Sequence, residues 1–204
     1  MSPTSKSGRL EVICGPMFSG KSEELIRRLR RSQLARQKTQ IFKHSADNRR
    51  TLDHVASHCG DRIAACAIAE TQTLAMFLLD DTEVIGIDEV QFFGNDIVLL
   101  IDKLVDEGKR VIVAGLDLDF RGIPFGSIPT LMALADEVIK LKAVCMKTGA
   151  DAHYSQRLVS GQPALHTDPL VLIGAEESYE ARSRATFEID RKPLAEYLKR
   201  HNFE

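Results

Sequence analysis

The chain has 204 residues, with 27 Lys and Arg against 29 Asp and Glu, a formal charge of −2, and 44% hydrophobic and 27% charged side chains. That length fits one α/β domain with a small appendage, or two small domains, and the near-neutral balance gives no sign of a nucleic-acid surface. No apolar stretch approaches a membrane span and no signal peptide opens the sequence, so neither nucleic acid nor membrane is an expected partner.

Residues 1–8 are small and polar and read as a mobile tail. The apolar run 10–14, stopped by Gly15, predicts a buried strand. Leu25, Ile26, Leu29 and Leu34 fall at helical spacing, with Arg27, Arg28, Arg30 and Arg31 on much of the other face. They predict an amphipathic helix opening at about Lys21. A second strand is expected over 39–43, and the polar, aperiodic stretch 45–60 reads as a mobile loop. Next come a helix over 74–79, a strand over 83–87 running into Asp88-Glu89, a helix over 96–107, and strands over 110–114 and 138–141. From about Ala143 the pattern breaks into short segments between Gly and Pro, and a charged helix over 193–201 closes the chain.

This alternation predicts an α/β fold of P-loop NTPase type, a mostly parallel sheet flanked by helices, with a small loop-rich C-terminal subdomain. The expected divisions are the tail (1–8), a nucleotide-binding domain (9–142), the small subdomain (143–190) and a terminal helix (191–204). Cys14, Cys59, Cys66 and Cys145 are too dispersed for a disulfide framework, which fits a reducing cytoplasm.

Two motifs carry chemistry. Gly15-Pro16-Met17-Phe18-Ser19-Gly20-Lys21-Ser22 fills every fixed position of a phosphate-binding loop between a strand and a helix. Its glycines let backbone N–H groups converge on phosphate oxygens, Lys21 reaches the β- and γ-phosphates, and Ser22 ligates Mg²⁺. The second motif is the apolar strand ending in Asp88-Glu89. One carboxylate there suits the magnesium held with ATP, and the next suits a proton acceptor for an incoming hydroxyl. No N-K-x-D guanine-recognition string occurs. Together the motifs predict a P-loop NTPase or kinase, with water or an organic hydroxyl as acceptor. Residue type alone places Phe92, Phe93, Phe120 and Phe125 in the core.

The loop at 15–22, the string Asp88-Glu89-Val90-Gln91-Phe92-Phe93 and the longer string 115–126 (GLDLDFRGIPFG) together resemble the thymidine kinases of the cellular and bacterial tetrameric type, from about Leu10 to Phe187. The resemblance implies an ATP:thymidine 5′-phosphotransferase in nucleotide salvage, cytoplasmic and homotetrameric. It implies Glu89 as the general base and places Asp88 and Gln91 on the nucleotide side. Asp47 and Arg49 belong to a flexible phosphate-side loop. Met17, Phe92, Leu116, Phe120 and Phe125 line the base pocket, with Phe120 stacking on thymine, and Arg121 is an extra cation for the transferred group. A lasso from Ser155-Gln156-Arg157-Leu158 through Leu170, Val171, Leu172, Ile173 and Gly174 holds the base largely by backbone, and Tyr179 closes over the sugar and base. The family's small subdomain is clipped by zinc on two C-x-x-[C/H] pairs. Here Cys145-Met146-Lys147-Thr148 keeps one such ligand and Ser183-Arg184-Ala185-Thr186 keeps none, so no structural zinc is expected. The alternative reading is an ATPase or ATP-driven switch that uses water.

Overall fold

The apolar runs of the sequence become one parallel sheet. The computed structural model describes residues 7–46, 54–56, 62–170, 177–189 and 192–200. In chain order the first elements are β1 (Arg9–Cys14), α1 (Lys21–Leu34), β2 (Thr39–His44), β3 (His54–Ala56), β4 (Arg62–Ala64), β5 (Cys66–Ile68) and α2 (Thr71–Phe77). There follow β6 (Val84–Asp88), a 3-10 turn at Val90–Phe92, α3 (Asp96–Asp106), β7 (Arg110–Gly115), α4 (Ile128–Leu134) and β8 (Glu137–Lys140). The C-terminal part holds β9 (Ala143–Val144), β10 (Asp151–Ala152), β11 (Tyr154–Val159), β12 (Gln162–Pro163), β13 (Glu177–Arg182) and α5 (Lys192–Arg200).

The chain divides into two compact units. One comprises Met1–Cys14, Gly20–Gly115 and Gly126–Lys140; the other comprises Gly15–Ser19, Leu116–Phe125 and Leu141–Glu204. In the first, six strands lie in the order β5-β2-β6-β7-β1-β8, and every pairing is parallel. Helices cover such a sheet on both faces, which is why β6 is buried along its whole length and β7 from Val111 onward. The apolar faces of α2 and α3, through Leu74, Ile97 and Ile101, close on Val12, Ile85, Ile87, Val111 and Val113. Register places Cys14 beside Gly115 and Lys43 beside Asp88, so the loops that bear the motifs leave from the carboxyl ends of neighbouring strands.

Charge gathers at the amino end of the same sheet. Glu11, on β1, is buried and accepts hydrogen bonds from Arg110 Nε at 2.7 Å and Nη2 at 3.0 Å, and another from Arg28 Nη1. Arg28 also donates to Glu24 and Glu137, each at 2.8 Å. Its burial corrects the reading of the α1 arginines as an outer face.

The second unit holds a three-stranded antiparallel sheet with β11 in the centre, flanked by β12 and β13, and a β9–β10 pair around a cluster of Ala143, Cys145, Ala152 and Ala181.

The sequence reading needs correction at four further points. Part of 45–60 is strand, because β3 pairs antiparallel with β4, and three-residue strands are too short to leave a period. The same brevity hides β5. Helix α2 lies earlier than 74–79 and stops at Leu78, whose backbone is extended (φ −70°, ψ 130°). Helix α4, which opens around Pro129, carries no periodic signal in its seven residues.

Candidate active site

In the first unit the phosphate-side chemistry is built where α1 begins and β6 ends. Gly20 caps α1 in a left-handed conformation (φ 84°), and Lys21 and Ser22 form its first turn. The Ser22 hydroxyl donates to Asp88 Oδ2 at 2.9 Å. Burial, with the adjacent Glu89 charge, pushes the Asp88 carboxyl up to about 7, against the pull of the Ser22 hydroxyl, the Glu89 amide and Lys21. A hydroxyl and a carboxylate drawn together in this way are hard oxygen donors of the kind Mg²⁺ takes, so the residues present fit the metal implied with ATP.

Glu89 follows in the left-handed region (φ 54°, ψ 39°), its amide donating to Asp88 Oδ1 at 2.9 Å. Such a conformation costs a non-glycine residue about 1–3 kcal/mol and persists where surroundings impose it. The turn aims the side chain at Gln91, whose Nε2 donates to Glu89 Oε2 at 2.6 Å. Gln91 is confined in turn by two glycines. A Cβ on Gly115 would lie 2.3 Å from Gln91 Oε1, and one on Gly126 would lie 2.3 Å from the Gln91 carbonyl oxygen. The long string thus opens and closes on glycine because both ends press against Gln91.

His44, at the end of β2, stands 5.7 Å from the Phe92 ring and edge-on to Phe93 at 4.7 Å. Its Nδ1 accepts from the Ala46 amide at 3.0 Å, so its Nε2 carries the hydrogen and donates to the Ala69 carbonyl, also at 3.0 Å. Burial holds His44 below its ordinary pKa of 6.5, against the Ala69 carbonyl and the Glu89 charge. Asp47 and Arg49 lie outside the described residues.

The second unit carries most of the residues assigned to the nucleoside, while Phe92 belongs to the first. Gly15 has φ 141°, and a Cβ there would meet the Leu141 carbonyl oxygen at 2.5 Å. Ser19 donates to the Pro16 carbonyl at 2.8 Å, Phe18 is exposed, and the Met17 amide donates to Ser155 Oγ at 2.9 Å. In the string 116–125, Asp119 accepts from the Arg121 amide at 2.8 Å and from Arg121 Nε and Nη2 at 2.8 and 2.6 Å, which locks the turn and fixes the guanidinium. Phe120 and Phe125 are buried, and Leu116 is half-buried.

Arg157 is fully buried, its guanidinium 3.9 Å from the Phe120 ring centroid, and it donates to the carbonyls of Pro169 (2.8 Å) and Leu170 (3.4 Å). Half-buried Tyr179 pairs directly with Arg157 across β11 and β13. Ser155, two residues before Arg157, shares that face. Val171, Leu172, Ile173 and Gly174 lie outside the described residues.

The first unit therefore joins Ser22, Asp88, Glu89 and Gln91, and the second joins Met17 with Ser155 and Phe120 with Arg157. Sequence reasoning included Ser155 in the lasso and Asp119 in the long string without giving either a role of its own, and passed over Lys43, a buried lysine in register with Asp88. Lys43 alone left a signal, as a cation at the end of an apolar strand.

At the positions where the resemblance implies a zinc clip, Cys145 Sγ lies 3.2 Å from Thr186 Oγ1, which is 3.1 Å from Ser183 Oγ. Burial pushes the Cys145 thiol up, but the hydroxyls of Thr148 and Thr186 and nearby amides outweigh it and bring it to about 5. One thiol and three hydroxyls are not a zinc donor set. Among the described residues no helix is long and apolar enough to cross a membrane.

The assembled features agree with a comparison against protein families. The family model described as thymidine kinase matches residues 8–187, most of the chain, and the protein belongs to the thymidine kinase family.

Proposed function

We propose that the protein transfers the γ-phosphoryl group of ATP to the 5′-hydroxyl of thymidine, giving ADP and dTMP, as a cytoplasmic homotetramer serving nucleotide salvage. The observation that carries this reading is the buried Glu89 carboxylate, held by Gln91 next to the Ser22–Asp88 pair. Family membership supports the acceptor.

In this reading Lys21 and the amides of the phosphate loop bind the β- and γ-phosphates. Glu89 accepts the 5′-hydroxyl proton as the oxygen attacks the γ-phosphorus, and the bond from that phosphorus to the β–γ bridging oxygen breaks, leaving ADP. Ser22 and Asp88 hold Mg²⁺, which neutralises phosphate charge when bound. Phe120 stacks on thymine, with Met17, Phe92, Leu116 and Phe125 around the base. Arg121, oriented by Asp119, supplies a further cation. The Cys145–Thr186–Ser183 cluster holds the small subdomain without zinc.

Phosphorylation of a nucleoside panel tests the reading, with thymidine expected to be converted first. Glu89→Gln should lower turnover about 10²- to 10⁴-fold while ATP still binds. ATP consumption that does not rise with any nucleoside would favour water as acceptor instead.

A further inference from the structure

Arg157 is the largest fully buried side chain among the described residues, and it is a cation. Burying a guanidinium is costly unless its hydrogens and charge are met on every side. Particular parts of the second unit lie around the Arg157 guanidinium and take its Nη1 hydrogens and part of its charge. The flat of the guanidinium lies 3.9 Å from the Phe120 centroid, the carbonyls of Pro169 and Leu170 take Nη1, and Asp168 Oδ2 stands 3.8 Å from Nη2. Arg157 itself is fixed in the middle strand of a three-stranded sheet, paired with Tyr179 on one side, while its own carbonyl accepts from Ala164 at 3.0 Å.

We propose that Arg157 is a positioning residue for the nucleoside, and that it acts without touching it. The Arg157 guanidinium lies closest to the Phe120 ring, with Arg121 Cζ farther over it at 5.6 Å, so Arg157 is the group that holds the plane on which a base would stack. The same guanidinium grips the chain at Pro169 and Leu170, where the stretch assigned to backbone recognition of the base begins. One rigid fork therefore sets the stacking ring and the root of the lasso together. A lysine could supply the charge and N–H donors but not the flat plate against Phe120.

This rests on thymidine being the acceptor, and the test separates the two ideas. Thymidine and ATP binding are measured by calorimetry on the wild-type chain, Arg157→Met and Arg157→Lys, alongside steady-state kinetics. Arg157→Met, which keeps the apolar stem, should weaken thymidine binding and raise its KM about tenfold to a hundredfold, with ATP affinity within about twofold. Combined with Phe120→Leu, the losses should be less than additive, since the arginine acts through the ring. Loss of kcat alone with thymidine KM retained, or equal loss for both substrates, would mean a merely structural role and overturn the proposal. Wild-type protein that binds no thymidine sinks the functional reading and this one together, whereas wild-type binding that the variants keep sinks this one alone. Should Arg157→Met not fold, Arg157→Lys carries the same readout.

Discussion

Replacing Gly115 with alanine adds one carbon and tests how Glu89 is held. The new Cβ would lie 2.3 Å from Gln91 Oε1, 2.9 Å from Ile128 Cδ1 and 3.3 Å from Val90 Cγ1. Ile128 and Val90 are fully buried in the core, and moving either disturbs many neighbours. The end of Gln91 turns on single bonds, so it is the group that gives. Once turned, Nε2 leaves the 2.6 Å contact with Glu89 Oε2. A hydrogen bond to a charged group contributes about 1.5–3 kcal/mol, so kcat should fall about tenfold to a hundredfold if that bond orients the carboxylate. Overpacking itself should cost about 1–3 kcal/mol, seen as a Tm lower by about 2–12 °C for a chain of this size. KM for ATP should hold, because Lys21 and Ser22 sit on α1 and are untouched. The assay is thymidine-dependent ADP release at saturating substrates, with melting followed by circular dichroism. In a Gln91→Ala background the kcat effect should vanish, the amide being already gone. A Gly115→Ala enzyme with lowered Tm but kcat within about twofold of wild type would refute the reasoning.

Three further outcomes follow from other parts of the molecule. Arg110→Met removes two of the hydrogen bonds to buried Glu11 and should destabilise by about 3 kcal/mol in denaturant melts, leaving kcat unchanged because the network lies at the amino ends of the strands. His44 has a pKa held below 6.5 in the fold, so the unfolded chain binds the extra proton first; stability is complete above that value and is lost as pH falls through the depressed one. Asp88, raised to about 7, adds stability as pH falls through the same range, so the His44 loss is read as a difference: between about pH 7 and about pH 5.5 wild-type Tm should lose ground relative to His44→Gln. Purified, tag-free protein should contain no stoichiometric zinc and keep its Tm in chelator, while one zinc per chain would reject the metal-free cluster.

The strand–glycine–helix order near Gly15 was readable because each piece has its own local signal: an apolar run, a fixed glycine spacing, and apolar residues at helical spacing. Asp88-Glu89 was readable for the same reason. What escaped depends on contacts between distant residues. Ser155 is one serine among several until the Met17 amide is found on its hydroxyl. Gln91 was placed on the nucleotide side, and only the left-handed turn at Glu89 reveals the side-chain bond between them. Arg28 looks like a solvent-facing cation and Arg157 was placed in the lasso only by the resemblance, since nothing local reports that Glu11 or Phe120 awaits them. The strands β3, β4 and β5 fail on length alone.

The order of the central sheet has a consequence for how the protein is made. β1 leaves the ribosome well before its partners, which are β7, from Arg110 to Gly115, and β8, from Glu137 to Lys140. A nascent chain must therefore carry the phosphate loop's supporting strand unpaired until β7 has emerged. Contacts so distant along the chain are slow to close, and an apolar strand left waiting is exposed to other chains. ATP cannot rescue such an intermediate, because the loop has no framework before β7 arrives. Truncations that end before Arg110 should aggregate rather than bind nucleotide, and the competence to hold phosphate should be among the last properties the growing chain acquires.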